Sequence, residues 1–456
     1  MRKITIIITA ICTIAIKSYA QQPPRDSILN LSLQDCINYA YDHQDSVMNA
    51  KLDIKSAEYK VKETIGSGLP QINGSVTFQD FLKPPVTVGP DFTNYAKTGF
   101  IDPNAPLAPF PFGAVKYNNT YSLTGSQLLF SGTYIVGLQA VKTFKELSQR
   151  SLTRTKIETN VSVSKAYYQV LVSNEQIKLL DANITQLKQQ LDQTTQQNKQ
   201  GFVEKIDVDR LSVQYNNLVT NRENTVRSLA LNYQMLKFQM GMPIDQQINL
   251  TDKLESIDLN QQIGQDAVDT SFYHNRIEYN LLQTNVKLNQ LDAKSKKAEF
   301  LPTLTANGGY GGTFQENHMK YLYNHIYTDS YIGLNLNIPI FSGGQRSNQL
   351  KQLEINVQKA QNNLYDAKNA LRLQANSANV TYVNSLQSLN NQKKSRELAQ
   401  EVLHVAKVKY QQGVGSSLEV TQAETDFENA DNQYIQALYN VLISKVDLDK
   451  AYGRIK

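Results

Sequence analysis

Apolar residues recur at alternating steps of three and four positions along the longest segments of this chain. The spacing runs through residues 177–191, 350–371 and 420–441. Steps of three and four place side chains on one stripe of a helix, which is the pattern of coiled coils. We therefore predict long helices over about 134–198 and 204–240, with equivalents in the second half. A shorter helical segment is predicted over Leu33–Ile65.

Four other segments alternate apolar and polar residues and are rich in glycine and aromatic residues. Such segments favour β-strands, because successive side chains of a strand point to opposite faces. The four predicted strands are Ile72–Phe78, Tyr121–Ser126, Leu304–Tyr310 and Tyr331–Ile338. Their small share of the chain predicts a mostly α fold with a small β part.

The order of these elements occurs twice. In each half a Leu-Pro pair precedes the strands, a Phe-Ser-Gly triplet follows them, and a glycine separates two long helices. The copies are Leu69-Pro70, Phe130-Ser131-Gly132 and Gly201, then Leu301-Pro302, Phe341-Ser342-Gly343 and Gly413. A duplication of this length predicts two pseudo-symmetric halves. We assign residues 1–20 to a signal peptide, 21–241 to the first repeat with strands within about 71–130, 242–264 to a linker, and 265–456 to the second repeat with strands within about 303–341.

The first residues predict export from the cytoplasm. Met1–Lys3 is basic, Ile4–Ile16 is apolar, and Ser18–Ala20 contains small residues, as in a secretory signal peptide cleaved after Ala20. Cys12 follows a poor lipoprotein motif, so we do not expect acylation. The mature chain keeps Cys36 as its one cysteine, which cannot form an internal disulfide.

The strands of an exported chain without a long apolar helix predict an outer-membrane β-barrel, where one strand face meets lipid and the other meets water. Four strands are too few, since small barrels begin at about eight. The chain is therefore expected to share a barrel with further copies. The alternative from another class is a soluble periplasmic coiled-coil scaffold, in which the four segments fold as a small water-soluble β-domain.

Composition and motifs give no sign of catalysis or of nucleic-acid binding. The net charge is +5 over 456 residues and the basic residues are dispersed, unlike those of a nucleic-acid binder. Gly308–Gly312 lacks the Lys-Ser/Thr of a phosphate-binding loop, and we interpret its glycines as backbone flexibility. His318 and His325 lack a pattern of cysteine or acidic partners that would indicate a metal site. We expect no enzyme activity, cofactor or metal, and an irregular exposed loop over residues 82–117.

Together, the duplicated motifs resemble those of the TolC-type outer-membrane efflux proteins. The residues that carry the resemblance are Leu69-Pro70, Phe130-Ser131-Gly132, Leu301-Pro302, Ile338–Gly344 and Tyr410–Gly413. The resemblance implies a homotrimer with a 12-stranded barrel in outer-membrane lipid and a trimeric helical barrel extending into the periplasm. It further implies a passive exit duct for efflux or type I secretion, with a periplasmic adaptor and an inner-membrane pump as partners.

Gly201 and Gly413 are predicted to make the tight turns of two helical hairpins, where positive φ is easiest for glycine. The resemblance implies that these turns form the periplasmic mouth and meet the adaptor. The candidate contact residues are Gly201, Phe202, Gly413, Val414 and Gly415, within the segments Lys199–Lys205 and Tyr410–Leu418.

Asp207 and Glu419 follow the two turning glycines at matching distances. In a symmetric oligomer each would form a carboxylate ring, which favours cations and helps to gate a pore. A structural role is the alternative, most of all for Asp207, which would favour a helix N-terminus. The resemblance also implies that Tyr410 and Asp207 join neighbouring hairpins in a closed state. Gly415 replaces the basic third partner of that contact.

Overall fold

The computed structural model describes residues 28–84, 87–90, 99, 107–110, 115–254 and 272–455. The predicted signal peptide, Cys12 and part of the predicted linker lie outside the described residues. Within the described ranges, no helix combines the length and the apolarity needed to cross a bilayer.

Long helices dominate the described chain. They are α1 (Leu33–His43), α2 (Asp45–Gly66), α3 (Gly132–Lys199), α4 (Lys205–Met240), α5 (Ile277–Ala298), α6 (Gln345–Gln411) and α7 (Ser417–Ala451). α3 and α4 confirm the helices predicted over 134–198 and 204–240. α6 and α7 take the equivalent places in the second repeat.

The helical segment predicted over Leu33–Ile65 is two helices. α1 begins with a capping box, in which Ser32 Oγ accepts from the Asp35 N–H and the Asp35 carboxylate accepts from the Ser32 N–H. Gln44 after α1 has an extended backbone with ψ 125°. Its side-chain Oε1 accepts from the Val47 N–H at 3.3 Å. The Gln44 side chain thus caps the start of α2, and the helix is interrupted there.

The β-strands form three small sheets in the described ranges. The strands are β1 (Leu29–Leu31), β2 (Gln71–Asp80), β3 (Thr87–Pro90), β4 (Leu107–Phe110), β5 (Tyr117–Phe130), β6 (Ile248–Leu250), β7 (Thr303–Glu316) and β8 (Tyr327–Asn337). β1 pairs with β6 in parallel, and β3 pairs with β4 antiparallel. The four predicted strands lie within β2, β5, β7 and β8, except that Ile338 follows the end of β8. These four form one antiparallel sheet in the order β2-β5-β7-β8.

The pair β3–β4 lies inside the segment predicted as an irregular loop over residues 82–117. Pro90 and Pro109 lie in these strands and cannot donate a backbone hydrogen bond. A two-stranded sheet consists of edges only, where a proline is tolerated on the outward side. The proline-rich sequence therefore permits a short two-stranded sheet, contrary to a wholly irregular loop.

Among the described residues, one compact unit comprises 28–52, 150–254, 272–280 and 366–455. Its helices pack along the predicted stripes. One cluster comprises Leu180, Leu187, Leu211 and Leu218 between α3 and α4; a second comprises Leu403, Ala406, Val420, Ala423 and Phe427 between α6 and α7. The apolar stripes thus hold two helical hairpins, α3–α4 and α6–α7.

The other unit comprises Asp53–Gln149 and Leu281–Tyr365 and contains the four-stranded sheet. Residues that pair directly in an antiparallel sheet lie on the same face. The register pairs Ile72 with Gly125, Gly125 with Gly308, and Gly308 with Ile332, so Ile72 and Ile332 share a face. The apolar residues of this face are Ile72, Val76, Phe78, Tyr121, Leu123, Tyr310, Phe314, Ile332, Leu334 and Leu336. The opposite face carries the polar residues Asn73, Ser75, Thr77, Ser122, Thr124, Asn307, Asp329 and Asn335, together with the rings of Tyr327 and Tyr331.

Side chains on the apolar face of the sheet are largely exposed in the single chain. Ile332 is 95% exposed, Val76 75% and Leu334 72%. A soluble monomer rarely exposes such a contiguous apolar surface. We call this surface the apolar sheet face.

Gly309 and Gly312 are required by packing, which corrects the interpretation of these two glycines as backbone flexibility. A methyl group at Gly312 would overlap the ring of Tyr121, and one at Gly309 would overlap the ring of Tyr331. Both glycines lie on β7. Tyr121 of β5 covers one of them and Tyr331 of β8 covers the other, and these contacts stabilise the pairing of β5 and β8 with β7.

We expect Gly312→Ala to destabilise the sheet, because the Tyr121 ring must move to admit the methyl group. Overpacking of this kind costs about 1–3 kcal/mol. Thermal unfolding of the detergent-purified protein, followed by circular dichroism, measures the effect. Gly333→Ala is the matched control, since nothing lies within 4 Å of a methyl group there. Equal unfolding temperatures for the two variants would contradict the packing role of Gly312.

Candidate functional site

The first hairpin turns at Gly201. α3 ends at Lys199, and Gly201 has a φ of +81°. The Phe202 N–H donates to the Gln197 carbonyl at 2.9 Å, which closes the end of the helix around the left-handed glycine. The predicted turn is confirmed.

The second hairpin turns at Gly413, where φ is +74°. The N–H groups of Val414 and Gly415 both donate to the Lys409 carbonyl at 3.1 Å. A methyl group at Gly415 would lie 3.0 Å from Lys409 Cβ and from the Tyr410 nitrogen. The turn folds closely onto the end of α6, so a longer side chain at Gly415 would require it to open.

Large apolar side chains protrude from both tips. Phe202 is 78% exposed and Val414 79%, and Ile206 and Leu418 in the following helices are also exposed. Apolar side chains grouped in this way mark interaction surfaces more often than scattered ones do. We call the two turns together, residues 199–206 and 410–418, the hairpin tips.

Asp207 links the two hairpins just behind the hairpin tips. The Ser417 hydroxyl at the start of α7 donates to Asp207 Oδ1, and Arg210 Nη1 lies 3.8 Å from the same oxygen. The Asp207 side chain is 16% exposed. The sequence identified Asp207 but missed Ser417 and Arg210. Because Arg210 lies one helical turn along α4, it supplies a basic group near Asp207.

Tyr410 lies close enough to this group for the charge of Asp207 to act on it. Its hydroxyl is buried beside Thr194 of α3. Burial and the negative charge of Asp207 raise the pKa of Tyr410. The phenol therefore stays neutral and available as a donor. Thr194 gave no signal in the sequence.

Glu419 lies apart from this group. Its backbone N–H donates to Ser416 Oγ at 3.2 Å, which caps α7, and its side chain is exposed. The structure thus brings together Asp207 and Tyr410, and places Glu419 in water near the second tip.

Two further ionic contacts lie inside the helix packing. Lys407 Nζ lies 2.9 Å from Glu424 Oε1 between α6 and α7. Asp431, seven residues further along α7, pairs with Arg396 and accepts from Asn183 Nδ2 at 3.2 Å. The sequence contained a signal for these two buried acidic residues, because Glu424 and Asp431 each follow an alanine of the apolar stripe.

Comparison with known proteins finds similarity to outer-membrane and secretion proteins. Residues 281–454 match the profile of the outer membrane efflux protein family. The chain is 22% identical over 337 residues to outer membrane protein TolC of Vibrio cholerae, covering 72% of this chain and 75% of that one. It is 21% identical over 324 residues to proteases secretion protein PrtF of Dickeya chrysanthemi, covering 70% and 67%. The fold is that of a solved structure of CusC, with a TM-score of 0.74, 15% identity and coverage of 96% and 95%.

Proposed function

We propose that this chain works as a homotrimer. It is a TolC-type outer-membrane efflux protein and serves as an outer-membrane exit duct in efflux or type I secretion. Transport is the activity of this family. Three copies share one barrel in outer-membrane lipid, and their helical hairpins form the periplasmic part of the duct. The hairpin tips receive a periplasmic adaptor, and an inner-membrane pump supplies the energy.

The observation that carries the proposal is the two-faced sheet. Its apolar sheet face suits lipid, and its opposite face of Asn, Ser and Thr suits a water-filled passage. In a soluble periplasmic scaffold this apolar sheet face would be in contact with water, which is unfavourable. The scaffold alternative is therefore disfavoured.

The edges of the sheet support sharing between copies. β2 and β8 each have one partner strand in the described part of the chain, so each leaves an edge open. β8 runs opposite to β2, so β8 of one copy beside β2 of the next continues the antiparallel order. Closure removes the open edges. Three as the number of copies rests on the resemblance to the family.

The helices also leave apolar surface for a neighbouring copy. The predicted stripe of α6 between Leu350 and Ala367 is only partly buried within one chain. A helix of the next copy would complete this packing.

Membrane fractionation with crosslinking tests the proposal. The protein is expected to remain with outer membranes in high salt, to require detergent for release, and to give crosslinked species that end at three copies. Release by salt alone would favour the scaffold. Crosslinked species that end at a different number of copies would overturn the trimer but not the shared barrel.

We propose that Asp207 and Ser417 hold the mouth closed, and that Ser417→Ala makes it open more often. A hydrogen bond to a charged group contributes about 1.5–3 kcal/mol, and each copy would lose one. Single-channel recording measures the open fraction. Thr425→Ala is the control, because this exposed hydroxyl on α7 bonds only within its helix, to the Thr421 carbonyl at 3.0 Å. If both variants open as rarely as the native chain, the contact does not hold the mouth.

The cargo class distinguishes two forms of the proposal. The likeness to a protein named for protease secretion supports a secretion exit, and the family description supports efflux. Deleting the gene in its host separates them, since drug sensitivity indicates efflux and loss of an exported protein indicates secretion.

A further inference from the structure

Two charged pairs lie between α6 and α7, and the pair nearer the hairpin tips joins Lys407 to Glu424. Glu424 is 8% exposed. It follows Ala423 of the apolar cluster between these helices and pairs with Lys407, whose side chain is 18% exposed. Burying such a pair costs free energy unless hydrogen bonds satisfy the remaining oxygens.

Those hydrogen bonds are missing. Lys407 Nζ lies near Glu424 Oε1, but no hydroxyl, amide or backbone N–H in the described ranges donates to either carboxylate oxygen. Gln214 Oε1 on α4 is likewise buried without a donor. Glu424 and Gln214 both line one small cavity of about 30 Å³. The cavity therefore contains buried acceptor oxygens that no hydrogen-bond donor of the described residues reaches.

The charged groups that face this cavity are few. α6 contributes Lys407, and α7 contributes Glu428 beside Glu424. The remaining lining residues are uncharged: Asn183, Gln186 and Leu187 from α3, Gln214 and Leu218 from α4, Leu403 from α6, and Phe427 from α7. Lys407 is thus the single cation among the residues that line this cavity, which also include two carboxyl groups.

We propose that Glu424 is a proton-binding site of the α6–α7 hairpin. A proton on Glu424 converts a buried acceptor into a donor. No other group changes its covalent state. We further infer, on the basis of the proposed function, that this proton favours the closed mouth. The ionised Glu424 carboxylate gains hydration when the helices separate, whereas the protonated acid does not need it.

The electrostatics agree with this direction. Burial raises the pKa of Glu424, and the charge of Lys407 offsets the rise only in part. Burial and the negative charge of Asp431 also raise the pKa of Glu428. A carboxyl group whose pKa is raised in the folded state binds more protons there, so its ionised form destabilises the fold and acid relieves this cost.

Infrared difference spectroscopy of the full-length, detergent-purified protein tests the site. On titration from about pH 8 to about pH 4, the native chain is expected to gain a buried protonated-carboxyl band with a midpoint above 4.5, the ordinary value for Glu. Glu424→Gln is expected to lose this band, and the exposed Glu419→Gln to keep it. An unchanged spectrum in Glu424→Gln, or loss of the band in Glu428→Gln instead, would overturn the assignment.

Hydrogen exchange tests the consequence for the hairpin. Relative to the intrinsic rate at each pH, amides of α6 and α7 around the cavity should exchange more slowly in acid in the native chain. In Glu424→Gln they should exchange slowly at every pH, because the amide mimics the protonated acid. Equal pH dependence in both chains would refute the switch. The band is independent of conductance, so failure of the channel proposal would leave the proton site standing.

Discussion

Replacing Ile332 with arginine is expected to prevent assembly in the outer membrane. Ile332 lies near the middle of β8 on the apolar sheet face and is 95% exposed within the chain. A cationic side chain facing lipid near the midplane of a barrel costs about 2–4 kcal/mol, and every copy would pay this cost. The fraction of the protein found in detergent-extracted outer membranes measures the effect.

Asn335→Arg is the matched control on the same strand. Asn335 is exposed on the opposite face, which we expect to meet water. The control should therefore assemble like the native chain. If both variants assemble equally well, the apolar sheet face does not meet lipid.

Arg276→Met is expected to lower the free energy of unfolding by about 3–5 kcal/mol, the cost of breaking a buried charged network. The Arg276 side chain is 3% exposed. Its guanidinium donates to both Glu278 carboxylate oxygens at 2.9 and 3.0 Å, to the Ala451 carbonyl at 2.8 Å, and to Gln374 Oε1 at 3.1 Å. Methionine fills a similar volume but leaves these acceptors without a donor. Urea unfolding of the helices, followed by circular dichroism, measures the loss.

The effect of Arg276→Met should shrink in acid. Burial by itself would raise the pKa of Glu278, but the hydrogen bonds and charge of Arg276 outweigh it and hold this pKa below the ordinary value of 4.5. A carboxylate with a lowered pKa stabilises the fold fully above 4.5, and this stabilisation is lost as the pH falls through the folded-state pKa.

Arg227→Met serves as the control for a surface ion pair. Arg227 pairs with Glu223 on α4, and both side chains are more than half exposed. Such pairs contribute about 0–1 kcal/mol, so the control should unfold like the native chain. An Arg276→Met variant as stable as this control would show that the buried network is dispensable.

The helices and their packing stripes were predictable because their signal is local. Steps of three and four residues determine which side of α3 or α7 is apolar, whatever lies opposite. The four strands of the larger sheet were readable from alternation, and the glycine turns from the known preference for positive φ. The short strands β1, β3, β4 and β6 were missed, because three or four residues are too few to show an alternation. The break at Gln44 escaped prediction because a side-chain cap depends on rotamer choice rather than on hydrophobic spacing.

The contacts that give the site its chemistry were not predictable in the same way. Ser417 meets Asp207 across two hairpins, and Lys407 meets Glu424 across two helices, so neither pair follows from local spacing. The same holds for Tyr121 over Gly312, where strand register alone decides that a glycine must face the ring. A sequence pattern shows which face of a helix or strand is apolar, whereas these contacts depend on how two such elements are aligned with each other.

Single-channel conductance of the detergent-purified protein in a planar bilayer tests the central claim most directly. The native, Glu419→Ala and Ser417→Ala chains would be compared. An exit duct predicts discrete openings, a weaker preference for cations in Glu419→Ala, and more frequent openings in Ser417→Ala. Folded, membrane-inserted oligomers that show no discrete conductance in either the native or the Ser417→Ala chain would contradict it.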